Sequence, residues 1–153
     1  MGQTMKLVLL LNLLLQGCMN SKVPAPSFYV HLYYKTQNGA DLLNPNTAGH
    51  YSEVQVVDLV TKNGVLTEVS TPIDSCANYV CQSAKSGLYY VQFHPEPTYK
   101  GTVIHAGSNN DTLNYVTVPM NSSYGIGKVL FKGQTIWSAP QKFTTSVSIT
   151  IVK

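Results

Sequence analysis

The chain has 153 residues, which is enough for one domain with a hydrophobic core. Its ten basic residues are all Lys and are spread along the chain, and with seven acidic residues they leave a net charge of +3. Nucleic-acid-binding proteins concentrate basic residues on one face and use Arg for bidentate contacts, so a chain without Arg argues against that class. Charged residues are only 11% of the sequence, as is common in secreted and cell-envelope β proteins.

A short apolar segment, Leu7 to Leu15, follows Lys6 near the start of the chain. It is much shorter than the roughly 20 residues of a membrane-spanning helix, and its order of basic, apolar and small residues is that of a secretory signal. The ending Leu15-Gln16-Gly17-Cys18 resembles a bacterial lipobox. That resemblance implies a signal peptide over residues 1–17, cleavage before Cys18 and acylation of Cys18. The alternative is an ordinary signal in which this Cys occurs by chance.

The next segment, residues 18–27, contains two prolines and small polar residues. This composition indicates an extended tether without helix or strand. We expect the folded domain to span residues 28–153. Its last strand has the cleanest pattern, because Val147, Ile149 and Ile151 alternate with Ser and Thr.

Alternating apolar and polar residues predict short strands throughout this domain, separated by turns at intervals of about eight to twelve residues. Asn63-Gly64 predicts a hairpin turn, because both residues tolerate positive φ. Outside the leader, no segment keeps the apolar spacing of an amphipathic helix. The sequence therefore predicts an all-β fold, a single antiparallel β-sandwich of seven to nine strands, with a barrel as the alternative. The predicted strands cover residues 30–35, 52–61, 64–70, 87–94, 98–106, 111–118, 127–137 and 146–151.

Two segments resemble parts of small cell-envelope lipoproteins from Bacteroidetes. They are NGADLLNPNTAGHYSEVQVVDL, residues 38–59, and VLFKGQTIW, residues 129–137, the second of which resembles their asparagine- or lysine-glycine hairpin before a final alternating strand. The resemblance implies an immunoglobulin-like or transthyretin-like sandwich, and it implies no particular activity. Physically, Asn38-Gly39 and Asn44-Pro45-Asn46 are two turns around the short apolar pair Leu42-Leu43.

Signatures of catalysis are missing from the sequence. It contains no Gly-x-Ser-x-Gly elbow, no His-Glu-x-x-His and no phosphate-binding loop, and its acidic residues are isolated from one another. We therefore expect no enzyme activity, no cofactor and no metal. The alternative is a metal site of His94 and His105, with His31 or Glu96 as a third ligand.

Ten tyrosines and one tryptophan raise the possibility of glycan binding, because their rings stack on the apolar faces of sugars. Tyr33-Tyr34 and Tyr89-Tyr90 each place one ring on either side of a strand, so one ring of each pair is expected in the core and the other near solvent. Trp137 is expected at a strand end. These five residues are the candidate ligand-binding aromatics, and the competing interpretation is ordinary aromatic packing.

Two cysteines remain if Cys18 is acylated, namely Cys76 and Cys81. In one strand, residues five apart would face opposite sides and lie roughly 16 Å from each other. A disulfide requires Cα atoms within about 7 Å. Because the envelope is oxidising, we expect a tight loop over residues 76–81 that is closed by a disulfide.

A candidate modification site lies in Asp111-Thr112-Leu113. This tripeptide resembles the O-glycosylation site of Bacteroidetes envelope proteins, which implies Thr112 as the acceptor. The competing interpretation is that Asp111 and Thr112 only close a turn.

Together these features predict a lipid-anchored envelope protein with a non-catalytic structural or protein-interaction role. The alternative is a carbohydrate- or peptide-binding accessory lipoprotein. Expected partners are membrane lipid through acylated Cys18, and an envelope protein or polysaccharide. Residues 19–22 lack the acidic residues of surface-export tags, which favours a periplasm-facing outer-membrane position. An exposed row of aromatic rings in a groove would favour binding, a flat polar surface with one apolar patch would favour the interaction role, and a buried cluster of His and carboxylate would favour an enzyme.

Overall fold

A computed structural model of the chain describes residues 28–71, 76, 79–120, 123–139 and 146–153. The predicted signal peptide, the tether and Cys18 lie outside the described residues. Within them the regular structure is β, and no helix there has the length and apolar character needed to cross a bilayer. The strands are β1 Tyr29–Lys35, β2 Val54–Lys62, β3 Val65–Ser70, β4 Val80–Gln82, β5 Tyr89–Phe93, β6 Gly101–Ala106, β7 Asn109–Met120, β8 Ser123–Phe131, β9 Gln134–Ser138 and β10 Ser146–Val152.

The strands form two separate sheets that pack together as a β-sandwich, which confirms the predicted fold class. The four-stranded sheet has the order β10-β1-β5-β4, and the six-stranded sheet has the order β3-β2-β6-β7-β8-β9. Neighbouring strands run antiparallel with one exception, the pair of β1 and β10. A parallel pair needs a long crossover connection, and the first and last strands have the rest of the domain between them.

The structure has ten strands in its described part rather than seven to nine, for two local reasons. Lys132 and Gly133 have φ values of 50° and 77°, so residues 127–137, which the pattern counts as one strand, form a tight hairpin of two strands, as the resemblance of residues 129–137 implied. The three-residue β4 is too short to show an alternating pattern. The predicted turn at Asn63-Gly64 is confirmed by φ values of 52° and 80°.

Alternation decides which residues enter the core. In β1, Val30, Leu32 and Tyr34 have no exposed surface, while the residues between them are half-exposed. The core lies between the two sheets and combines these side chains with β10, β5 and the inner face of the six-stranded sheet. Leu42 and Leu43 are also buried, as expected for an apolar pair between two turns.

Candidate functional site

Aromatic rings line the outer face of the four-stranded sheet. Because successive side chains of a strand point to opposite faces, the burial of Val30, Leu32 and Tyr34 turns Tyr29, His31 and Tyr33 outward. The neighbouring β5 contributes Tyr90, and His94 follows directly after that strand. We call this set the aromatic ladder; its members are Tyr29, His31, Tyr33, Tyr90 and His94.

The rings of the ladder contact one another across the two strands. The ring centroids of His31 and Tyr90 lie 4.7 Å apart, those of Tyr33 and Tyr90 5.6 Å, and those of Tyr29 and His94 5.4 Å. Antiparallel pairing of β1 with β5 brings these residues together, with His31 directly opposite Gln92. Cross-strand side-chain pairs of this kind stabilise a sheet by roughly 0.2–1 kcal/mol each. All five side chains remain half-exposed, so the row keeps accessible ring surface.

A row of hydroxyl groups runs beside the ladder. In the parallel pairing of β1 with β10, Tyr29 is opposite Ser146, His31 is opposite Ser148 and Tyr33 is opposite Thr150. These three β10 residues are exposed, because Val147, Ile149 and Ile151 take the core side. Rings and hydroxyls therefore form two adjacent lines on one sheet face.

The electrostatic character of the ladder is close to neutral. Burial lowers the pKa of His31 below its usual value, and a hydrogen bond with Gln92 opposes that effect. At one end, Nδ1 of His94 lies 3.8 Å from Oε1 of Glu96. At the other end of β1 lies Lys35, which is half-exposed. At neutral pH His31 is thus uncharged, and the centre of the face carries no formal charge.

Of the five aromatic candidates from the sequence, the structure brings together Tyr33 and Tyr90. Tyr34 is fully buried and packs edge-on against Tyr51, with ring centroids 5.4 Å apart. Tyr89 packs against the core, and its backbone N–H donates to Oδ2 of Asp41. Tyr34 and Tyr89 are therefore the inward-facing members of the pairs Tyr33-Tyr34 and Tyr89-Tyr90.

Trp137 is separated from the ladder because it belongs to β9 of the six-stranded sheet, where it packs against Phe28 at a centroid distance of 5.2 Å. Tyr29, His31 and His94 were missed as ladder members by the sequence interpretation. The spacing of Tyr29, His31 and Tyr33 at every second residue was a usable signal, whereas His94 depended on the pairing of β1 with β5.

Cys76 and Cys81 are joined by a disulfide with a Cα–Cα distance of 5.2 Å. Tyr79 lies in this loop with a φ of 63°, and its hydroxyl donates to the backbone oxygen of Thr71 at 2.6 Å. The loop therefore ties the start of β4 to the end of β3. By the loop-entropy relation, a ring of this size stabilises the fold by roughly 2 kcal/mol.

Protein that is expressed in an oxidising compartment and purified under non-reducing conditions is expected to show no reactive thiol at Cys76 or Cys81 after unfolding. Thiol labelling with and without prior reduction, read by peptide mass spectrometry, measures this directly. Two labelled thiols in the unreduced chain would contradict the bond. Cys81→Ser is the matched variant, because it should expose one labelled thiol at Cys76.

Thr112 lies inside β7, opposite Val103 of β6, and is half-exposed. The turn between β6 and β7 is made by Gly107 and Ser108, so the interpretation of Asp111 and Thr112 as turn residues is wrong. β7 begins earlier than predicted because Asn109 and Asn110 already pair with β6. Glycosylation of Thr112 stays a prediction.

Two carboxylates face the core from the six-stranded sheet. Asp111 is 3% exposed, and its Oδ1 accepts from Nζ of Lys153 at 2.7 Å. Its Oδ2 and the hydroxyl of Tyr34 are both buried without a hydrogen bond among the described residues. Burial and the nearby charge of Asp111 raise the pKa of Tyr34, which stays protonated. This cluster joins β1, β7 and the end of β10.

The second inward carboxylate, Asp58, is 1% exposed and sits in a hydrogen-bond network. Its Oδ1 accepts from the hydroxyl of Thr102 and its Oδ2 from that of Thr71, both at 2.7 Å. The hydroxyl of Tyr115 donates to Thr102. Burial raises the pKa of Asp58, and the two Thr bonds oppose that effect. Because both oxygens are already bonded and sealed from solvent, the network fits a structural role better than acid–base catalysis.

The alternative metal site is not assembled. His105 belongs to β6 of the six-stranded sheet, where its Nδ1 lies 2.7 Å from Oδ1 of Asn110. His94 and His31 belong to the ladder on the other sheet. Within the described ranges, no group of three or more His, Cys, Asp or Glu side chains is arranged to hold a metal ion.

Comparison of the chain with protein-family models, with curated proteins and with solved structures finds no match. The aromatic ladder combines accessible rings, neighbouring hydroxyls and little charge on one face of the sandwich.

Proposed function

We propose that this protein is a lipid-anchored, non-catalytic binding module of the bacterial cell envelope that takes a polysaccharide on its aromatic ladder. The observation that carries the proposal is the row of half-exposed rings along β1 and β5. The resemblance of the leader to a lipobox supports the anchor, and the outer membrane with a periplasm-facing domain is the proposed location.

The chemistry of the face suits sugars. Aromatic rings stack on the apolar C–H faces of a pyranose, while its hydroxyls need hydrogen-bonding partners at the edges. Ser146, Ser148 and Thr150 supply such partners beside the rings. Tyr29 and Tyr33 are four residues apart in one strand, so the ladder extends about 13 Å, enough for a short stretch of polysaccharide. Each stacked ring contributes on the order of 1 kcal/mol, so several must act together.

Replacing Tyr90 with Ala is expected to weaken polysaccharide binding by about tenfold, equivalent to about 1.4 kcal/mol. Tyr90 contacts both His31 and Tyr33, so its removal takes away one stacking ring and the support of two others. A glycan array identifies ligands of the wild type, and isothermal titration then compares the variants.

The matched control is Leu66→Ala, because Leu66 is an exposed apolar residue on β3, in the other sheet. It should bind like the wild type. A wild-type domain with no signal on the array, or a Tyr90→Ala variant with unchanged affinity, would contradict the proposal.

A structural or protein-interaction role is the second candidate, and the edge strand β3 favours it. Val65 and Leu66 are 64% and 55% exposed, and among the described strands β3 is hydrogen-bonded to β2 alone. Edge strands with exposed apolar residues are able to pair with another chain. Co-purification of a protein partner that is lost in Leu66→Lys and kept in Tyr90→Ala would select this role.

A further inference from the structure

We propose that the polysaccharide taken by the aromatic ladder is uncharged, and that protonation of His31 releases it. This inference rests on the proposed binding function and adds the charge class of the ligand and its regulation. Three observations carry it: the charges around the face, the central position of His31, and the different surroundings of His94.

The face offers an anionic polymer little to bind. In the described residues of the four strands, the titratable groups on the outer face besides His31 are Tyr29, Tyr33 and Lys35 from β1 and Tyr90 from β5. β10 contributes only neutral residues there, and Cys81 of β4 is in the disulfide. Beyond β5, His94 is accompanied by Glu96. A single Lys at one end and a carboxylate at the other do not match a row of repeated negative charges.

His31 lies in the middle of the ladder. It is flanked in β1 by Tyr29 and Tyr33 on the same face, and its ring centroid is 4.7 Å from that of Tyr90. A ligand that stacks along the row must therefore cover the imidazole. Burial already disfavours the charged form of His31, which lowers its pKa, and covering the ring with an uncharged sugar removes more water from it.

Proton and ligand therefore compete for the same side chain. An uncharged ligand binds best when His31 is neutral, so by linkage binding lowers the pKa of His31 further. The affinity for the ligand is therefore highest above the pKa of free His31, and it falls as the pH drops below that pKa. For one linked proton the limit is a tenfold loss for each pH unit, about 1.4 kcal/mol.

His94 differs in its position and its neighbour. It is at the end of the row, and Oε1 of Glu96 lies 3.8 Å from its Nδ1. A ligand that stacks on the centre of the row does not have to cover it. His31 and His94 are thus matched histidines of one ladder with different expected effects.

The test uses uncharged hexasaccharides of glucose, xylose and mannose, together with an oligogalacturonate as the anionic probe. Isothermal titration at about pH 7.5 and about pH 5 compares the wild type with His31→Gln and His94→Gln. The wild type should bind an uncharged probe at the higher pH and bind it several-fold more weakly at the lower pH. His31→Gln should lose most of that difference, and His94→Gln should keep it.

NMR titration of the His31 imidazole supplies a second readout, with a lower pKa expected in the presence of the bound probe. Two results would overturn release of the ligand by protonation and leave the binding function intact. One is an affinity that is the same at both pH values, and the other is a loss of affinity at the lower pH that persists in His31→Gln. Tighter binding of oligogalacturonate than of the uncharged hexasaccharides would overturn the uncharged class of ligand. Absence of binding at both pH values would contradict the proposed function itself.

Discussion

Replacing Lys153 with Met is expected to reduce the free energy of unfolding by about 3 kcal/mol. The change leaves the carboxylate of Asp111 buried without its cation, since Nζ of Lys153 lies 2.7 Å from Oδ1. The side chain of Asp111 is 4% exposed and that of Lys153 is 24% exposed, so the expected loss lies at the lower end of the range for buried pairs. Urea unfolding measures it.

Two further variants separate the ion pair from simple packing. The double variant Asp111→Leu/Lys153→Met removes both charges together, and most of the lost stability should return because no unpaired carboxylate remains. Lys128→Met is the control, because Lys128 is an exposed Lys on the six-stranded sheet and its loss should change stability by less than about 0.5 kcal/mol. A Lys153→Met protein as stable as the wild type would show that the pair contributes nothing.

Replacing Cys18 with Ala is expected to move the protein out of the membrane fraction or to leave an uncleaved precursor. Each buried methylene of an acyl chain contributes about 0.8 kcal/mol, so one chain binds reversibly while two or three hold a protein firmly. Without the thiol no chain is attached. Membrane fractionation and uptake of labelled palmitate measure the change, and the effect should be nearly complete.

Cys76→Ser is the matched control, because it removes a cysteine and leaves Cys18 in place. It should still take up palmitate and still fractionate with membranes. A Cys18→Ala protein that stays with membranes, together with a wild type that takes up no label, would refute the anchor. The nine residues after Cys18 extend at most about 30 Å, so the anchored sandwich would lie close to the lipid surface.

Local pattern was sufficient for much of the fold. Alternation in Val30 to Lys35 and in Ser146 to Ile151 predicted both the strands and the side chains that enter the core. Asn63-Gly64 predicted its turn through the φ values that these two residues tolerate. The same reasoning missed β4, because three residues carry too little periodicity to show a strand, and it counted residues 127–137 as one strand, although their resemblance to a lysine-glycine hairpin implied the turn at Lys132-Gly133.

The aromatic ladder shows where sequence reasoning ends. Alternation alone assigns Tyr33 to the outer face and Tyr34 to the core, because a strand has a period of two. Alternation does not predict that Tyr90 contacts both His31 and Tyr33. That contact depends on the pairing of β5 with β1, which lie nearly 60 residues apart in the chain. Trp137 was grouped with these rings by residue type and belongs to the other sheet.

By itself the sequence determined the β class, the two faces of the longer strands and the tight turns, because each depends on neighbouring residues and their backbone preferences. Tertiary structure alone decided that β10 lies parallel to β1, which sets hydroxyls beside rings, and that Asp58 and Asp111 are buried with partners. Those features arise from contacts between distant segments. Such contacts are selected by the packing of the whole core and not by any local pattern.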